Sequence, residues 1–139
     1  MIAVDTSVLV AAHRSELARH RDALSRLRGL AEGSAPWGVP VFCQAEFLRV
    51  VTHRRILTPA SPLAQALGFL EALAESPSYR VLLPEAGFGA ELAELVRATS
   101  ATGNLAFGAQ VAALVRTHGG VLLTDDKEMA RFPIEVLWL

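Results

Sequence analysis

Five short apolar runs are spaced along this chain by stretches long enough to hold helices, and that spacing limits the fold more than any other feature. The runs are Ile2 to Val4, VPVF at 39 to 42, Tyr79 to Leu83, VLLT at 121 to 124 and IEVLWL at 134 to 139. Gaps of helical length suit right-handed crossovers between strands that run the same way. The expectation is an α/β fold, three layers deep, with a mainly parallel sheet of about five short strands covered by helices on both faces. At 139 residues the chain reads as a single domain, 1–139, of a size that buries about two-thirds of its unfolded surface without staples. Hydrophobic residues make up 52% of it with only 6% aromatic, so alanine and aliphatic side chains carry the packing.

The intervening segments have recognisable ends. Thr6 and Ser7 can cap a helix that begins near Val8, and Ser15 to Glu32 continues as helix. GLAEGSAPWGVP, 29 to 40, is punctuated as a loop. CQAEFLRVVTHRR is helical, with Phe47, Val50, Val51 and Arg54 at helical spacing and Glu46 beside that stripe. Ser61 with Pro62 suits the start of a helix through Ala74, whose expected buried stripe is Leu63, Leu67, Leu70 and Leu73. Residues 90 to 101 give another helix stopped near Gly103, and Asn104 can cap the next, which Gly119 and Gly120 end.

In an open parallel sheet, ligands collect outside the carboxyl ends of the strands, where strand order reverses. Asp5 closes the first strand and Asp125 with Asp126 close the fourth. If those strands are neighbours, carboxylates meet at one sheet edge, where two unit charges 4 Å apart repel by about 4 kcal/mol at an effective dielectric of 20. A hard cation offsets such repulsion, and magnesium commonly takes one or two carboxylates, with water and phosphate completing its shell. Glu46, a polar residue near the buried side of its helix, is the third candidate ligand. Capping and turn roles are the structural alternative for each acid taken alone.

Other chemistries lack their residues. A phosphatase of the haloacid dehalogenase type needs an aspartate two positions after the first, where Ser7 stands. AGFGAEL has Leu92 in place of the third glycine of a dinucleotide loop. His13, His20, His53 and His118 show no zinc-ligand spacing, and surface or capping roles suffice for them. The lone Cys43 reads as a packed residue, and no G-x-S-x-G offers an activated serine. A formal net charge of −1 gives no global pull toward nucleic acid or an anionic membrane. No run approaches the roughly 20 apolar residues of a spanning helix, and MIAVDTSVL is unlike a secretory signal, so the expected location is cytoplasmic, with no membrane role.

AVDTSVLV near the start, AEFLRVVTHRRIL in the middle, GNLAFGAQVAAL later and LLTDDKEMARFP near the end, in that order and spacing, resemble PIN domains of VapC-type toxins. The resemblance implies a PIN-like α/β/α nuclease domain. It implies the activity of an endoribonuclease dependent on Mg2+ or Mn2+, hydrolysing RNA phosphodiester bonds. It also implies a VapB-type antitoxin as partner and a homodimer. Carried onto this sequence, the family's acids fall on Asp5, Glu46 and Asp126, as metal ligands and catalytic residues, with Thr124 just before the last and Glu128 at a further, usually peripheral, acidic position. The remaining acid is expected where Gly108 stands. Glycine in a helix interior costs roughly 1 kcal/mol relative to alanine, and a missing carboxylate there leaves a three-acid site. That raises an alternative: a catalytically impaired domain that only binds RNA or antitoxin. Ser7 and Asn104 are candidates to support the acids, with helix capping as their alternative role; the arginines from Arg14 to Arg28, with Arg49, Arg54 and Arg55, are candidates to steer RNA through its phosphates, although for each taken singly a solvated helix face is the favoured reading.

Overall fold

The computed structural model describes all 139 residues. In chain order they form β1 (Ile2–Val4), α1 (Thr6–His13), α2 (His20–Glu32), β2 (Trp37–Pro40), α3 (Val41–Val51), α4 (Leu63–Ala74), β3 (Tyr79–Leu82), α5 (Phe88–Thr99), α6 (Asn104–Thr117), β4 (Val121–Thr124), a 3₁₀ helix (Lys127–Arg131) and β5 (Val136–Trp138). The five strands make one sheet in the order β3-β2-β1-β4-β5, and every neighbouring pair is parallel. The chain winds outward from β1 to β3, then returns through α5 and α6 to build the other half. Right-handed crossovers therefore set α1 to α4 against one face and α5 with α6 against the other. The order reverses beside β1, so the crevice expected of such a sheet opens at the carboxyl ends of β1 and β4.

Twenty-nine buried apolar residues form one contiguous core. Helix α6 contributes Leu105, Ala109 and all of Val111 to Val115, which is why its sequence is apolar on nearly every side. Beneath β2, Trp37 is fully buried, meets Tyr79 edge-on at 5.1 Å, and donates its indole N–H to Ser76 Oγ at 3.4 Å. Ser76 and Ser78 in turn donate to the Ala31 and Gly33 carbonyls, tying the end of α2 to the start of β3.

Several boundaries differ from the sequence expectation. The second strand is Trp37–Pro40, and Val41 with Phe42 opens α3. Gly38 reads as loop punctuation, yet it lies in the strand because a Cβ there would sit 2.5 Å from the Arg80 carbonyl oxygen. Helix α2 starts at His20, not Ser15. The intervening Arg14 is buried, with its guanidinium on Glu16, Ser61 Oγ and the Pro59 carbonyl, so it is removed from the set available to RNA. Ser61 serves that cluster instead of capping α4, and Asp5, not Thr6 or Ser7, holds the N-cap position of α1. Helix α5 ends at Thr99 with Ser100 in the left-handed region, and Gly103, at φ 58°, precedes α6 in the cap position expected for Asn104. Along α4 only Leu73 of the four leucines is buried, while Leu63 and Leu67 are 61% and 40% exposed. Ala66 takes the core side there, and Phe69 of α4 stacks on Phe47 of α3 with ring centroids 5.2 Å apart.

Two consequences are measurable. Gly38→Ala drives a methyl group into the β3 backbone, and the expected loss of about 3 kcal/mol should appear as a lowered urea midpoint; an unchanged midpoint would contradict this account of β2. The second concerns His13, whose ring stands edge-on to Phe47 and Phe69 at 5.3 and 5.2 Å and whose Nε2 meets Ser61 Oγ at 2.9 Å. Arg14 already donates to Ser61 Oγ, which leaves the serine proton to point at a neutral ring. Burial first, and the Arg14 charge second, hold the His13 pKa below its ordinary 6.5. A depressed histidine contributes stability that is complete above about pH 6.5 and is lost as pH falls toward the lower, folded value. The melting temperature should therefore fall on acidification through that window, and fall less in His13→Gln.

Candidate active site

The site is built on the backbone of β1. The Asp5 N–H donates to the Leu123 carbonyl at 3.0 Å, extending the β1–β4 ladder, and its own carbonyl accepts from Val8 and Leu9 at 3.2 Å as α1 begins. Strand and helix hold this residue on both sides. The residue is buried, with only 6% of its accessible area exposed, and no arginine, lysine or histidine pairs with it.

Hydroxyl groups aim that carboxylate. Thr124 Oγ1 donates to Asp5 Oδ2 at 2.6 Å and Ser7 Oγ donates to the same oxygen at 3.0 Å. Each hydroxyl is itself fixed from behind: the Asp126 N–H donates to Thr124 Oγ1 and the Asp125 N–H to Ser7 Oγ, both at 3.0 Å. The backbone leaving β4 thus orients two hydroxyls, and they orient the acid at the end of β1. On the far side Cys43 Sγ lies 3.7 Å from Asp5 Oδ1. Burial, reinforced by the Asp5 charge, holds that thiol well above its ordinary pKa, so Cys43 is a protonated packing residue.

Asp5, Glu46 and Asp126 line one cleft of about 430 Å3, together with Ser7, Asn104, Gly108 and Glu128. Glu46 projects from α3 with Oε1 3.2 Å from Arg49 Nη2. Asp126 precedes the 3₁₀ helix, and its Oδ1 accepts the Glu128 N–H at 2.9 Å. Asp125 does not line the cleft. No three of the acids stand close enough to enclose an ion by themselves. The donor set suits a hard divalent ion that keeps part of its water shell: the oxygens are carboxylate, the innermost carboxylate has no counter-cation, and no histidine or reactive thiol faces the cleft. Zinc would favour such nitrogen and sulfur ligands.

Of the residues singled out from sequence, Ser7 does support Asp5. Asn104 reaches the cleft wall without bonding to an acid. Thr124 went without a role in the sequence reading; its signal was its place one residue before the strand-end acids, opposite Asp5 in register. Gly108 faces apolar side chains. A Cβ added there would lie 3.0 Å from Phe132 Cε2 and 3.4 Å from Met129 Sδ, so the space beside α6 is filled by the segment leading to β5.

Residues 2–135 match the family model described as PIN domain. Ribonuclease VapC43 of Mycobacterium tuberculosis is 34% identical over 132 residues, covering 95% of this chain and 90% of the relative. Ribonuclease VapC25 of the same species is 33% identical, covering 95% and 93%. Among solved structures, VapBC2 from Rickettsia felis bound to a promoter DNA fragment aligns with a TM-score of 0.72 at 16% identity, covering 99% of this chain and 98% of that one. VapC20 of M. tuberculosis, described as a sarcin-ricin loop cleaving toxin, aligns at 0.67 and 21% identity, covering 94% and 93%. The chain belongs to the PIN-domain family, among relatives of the VapC type.

Proposed function

We propose that this chain, acting as one domain over residues 1–139, is an endoribonuclease of the VapC toxin type that uses Mg2+ or Mn2+. The observation that carries the reading is Asp5: a buried carboxylate with no cationic partner, oriented by Ser7 and Thr124 into a cleft shared with Glu46 and Asp126. Leaving a buried charge uncompensated is costly, and a divalent ion relieves that penalty. Asp5, Glu46 and Asp126 would hold the ion. When bound, it supplies an activated water and charge neutralisation at the scissile phosphate. The protein's own part is to hold Asp5 in place through the two hydroxyls, to keep Cys43 protonated behind it, and to present Arg49, the one cationic side chain of the cleft, to the RNA backbone. The names of the relatives support RNA as substrate.

A VapB-type antitoxin and a homodimer complete the proposal. The solved VapBC structures support the first. Exposed Leu67 and Val81, which line one apolar hollow between α4 and the β3 edge together with Leu70, support the second, because apolar side chains gathered at a sheet edge favour association. No helix is long and apolar enough to cross a membrane, which is compatible with a cytoplasmic location.

Two experiments test the reading. Asp5→Asn keeps the shape and removes the charge. It should lower Mg2+- or Mn2+-dependent RNA cleavage by roughly 100-fold or more and abolish the metal-induced rise in melting temperature. Wild-type protein that neither cleaves nor gains stability from either ion would overturn the proposal. Gly108→Asp separates full from impaired activity. With Phe132 in the way, it should destabilise the fold by about 1–3 kcal/mol and leave cleavage no faster. Faster cleavage at an unchanged urea midpoint would favour the impaired, binding-only alternative.

A further inference from the structure

Beside the acid cleft, α3 and α6 face each other across a second cavity of about 360 Å3. It shares Glu46, Arg49, Asn104 and Phe107 with the cleft and extends it to Phe42 and Gln110. The two hollows are therefore one continuous groove with Arg49 at the junction. The α3 wall is a stripe at i, i+3, i+4 and i+7 (Phe42, Ala45, Glu46 and Arg49), and the α6 wall is a stripe at i, i+3 and i+6 (Asn104, Phe107 and Gln110). Each stripe presents one face of its helix.

We propose that this extension is a subsite for one unpaired nucleobase of the RNA, next to the scissile phosphate; the assignment rests on the ribonuclease reading. Phe107 is half-buried in a helix whose other large apolar residues turn inward, so part of its ring faces the groove. Such a ring gives a base a stacking surface. Asn104 and Gln110 add amides that each carry both donors and an acceptor, the complement of a base edge. Neither is tied down as the Gln44 amide is, by the Tyr79 hydroxyl at 2.9 Å. Arg49 is 60% exposed along its side chain and its only partner is Glu46. With most of its side chain in solvent, the guanidinium can also reach the phosphate that joins the bound base to the cleaved bond. Base, phosphate and acids then fall in the order in which a single strand presents them. Paired bases have their edges and faces occupied, so a duplex fits only by unpairing.

The test uses fluorescent eight-nucleotide single strands, a blunt RNA duplex and nucleoside monophosphates, titrated in EDTA, where wild-type protein does not cleave. Phe107→Leu keeps the bulk and removes the aromatic face. It should weaken single-strand binding about tenfold and duplex binding less than twofold, while Phe107→Trp restores the affinity. Gln110→Ala should change the ranking among homopolymer strands and, with Mg2+, the base found beside the cut. Nucleoside monophosphates should bind at least a hundredfold more weakly than the strands; equal affinity would instead assign the groove to free nucleotides. Unchanged strand affinity and base preference in both variants, alongside Asp5-dependent cleavage by the wild type, would overturn the subsite and leave the nuclease intact. Absence of both RNA binding and cleavage in the wild type would overturn the two together.

Discussion

Parallel pairing of β1 with β4 brings together side chains 119 positions apart, Asp5 and Thr124, at 2.6 Å. Everything else in the site follows from that contact. The pairing places the end of β4 where its backbone N–H groups can hold Ser7 and Thr124, and the hydroxyls can then hold Asp5. Because β1 is central and strand order reverses beside it, the same pairing opens the crevice into which Glu46 and Asp126 project. An acid fixed in this way keeps its orientation without any cation of the protein, so the place beside it is available to an exchangeable ion.

The electrostatics are correspondingly asymmetric. Asp5 is buried and surrounded by neutral donors, whereas Asp126 and Glu128 are exposed and Glu46 shares its charge with Arg49. Water screens the outer acids, and the dry protein interior screens the inner one far less. For the proposed ion, Asp5 and its hydroxyl partners would therefore carry most of the attraction, and the outer acids would meet it through water. Cys43, its thiol held protonated, adds no competing charge behind this arrangement.

Much of this was legible in the sequence for a plain reason: strand periodicity and strand-terminal acids are local signals. They gave the five strands, and with them Asp5 and Asp126. Glu46 stood out as a polar residue against an apolar helical stripe. Signals that depend on what a residue packs against were misread. Gly38 looked like a turn, because close approach of two backbones leaves no mark in the local pattern. Leu63 and Leu67 looked like core, because an apolar stripe has the same spacing whether it meets the protein's own interior or is left on the surface. The hydroxyl relay through Thr124 required knowing strand order, and the withdrawal of Arg14 required knowing where the 59–61 segment folds back.

Gly108 illustrates the coupling of distant positions most sharply. Its missing side chain is compensated by Phe132, whose ring lies against α6 on the way to the last strand. The two positions are therefore coupled through volume: a methyl group at 108 would press on the ring, and a smaller residue at 132 would leave a void beside α6. The contour of this wall is a property of the pair and of neither residue alone.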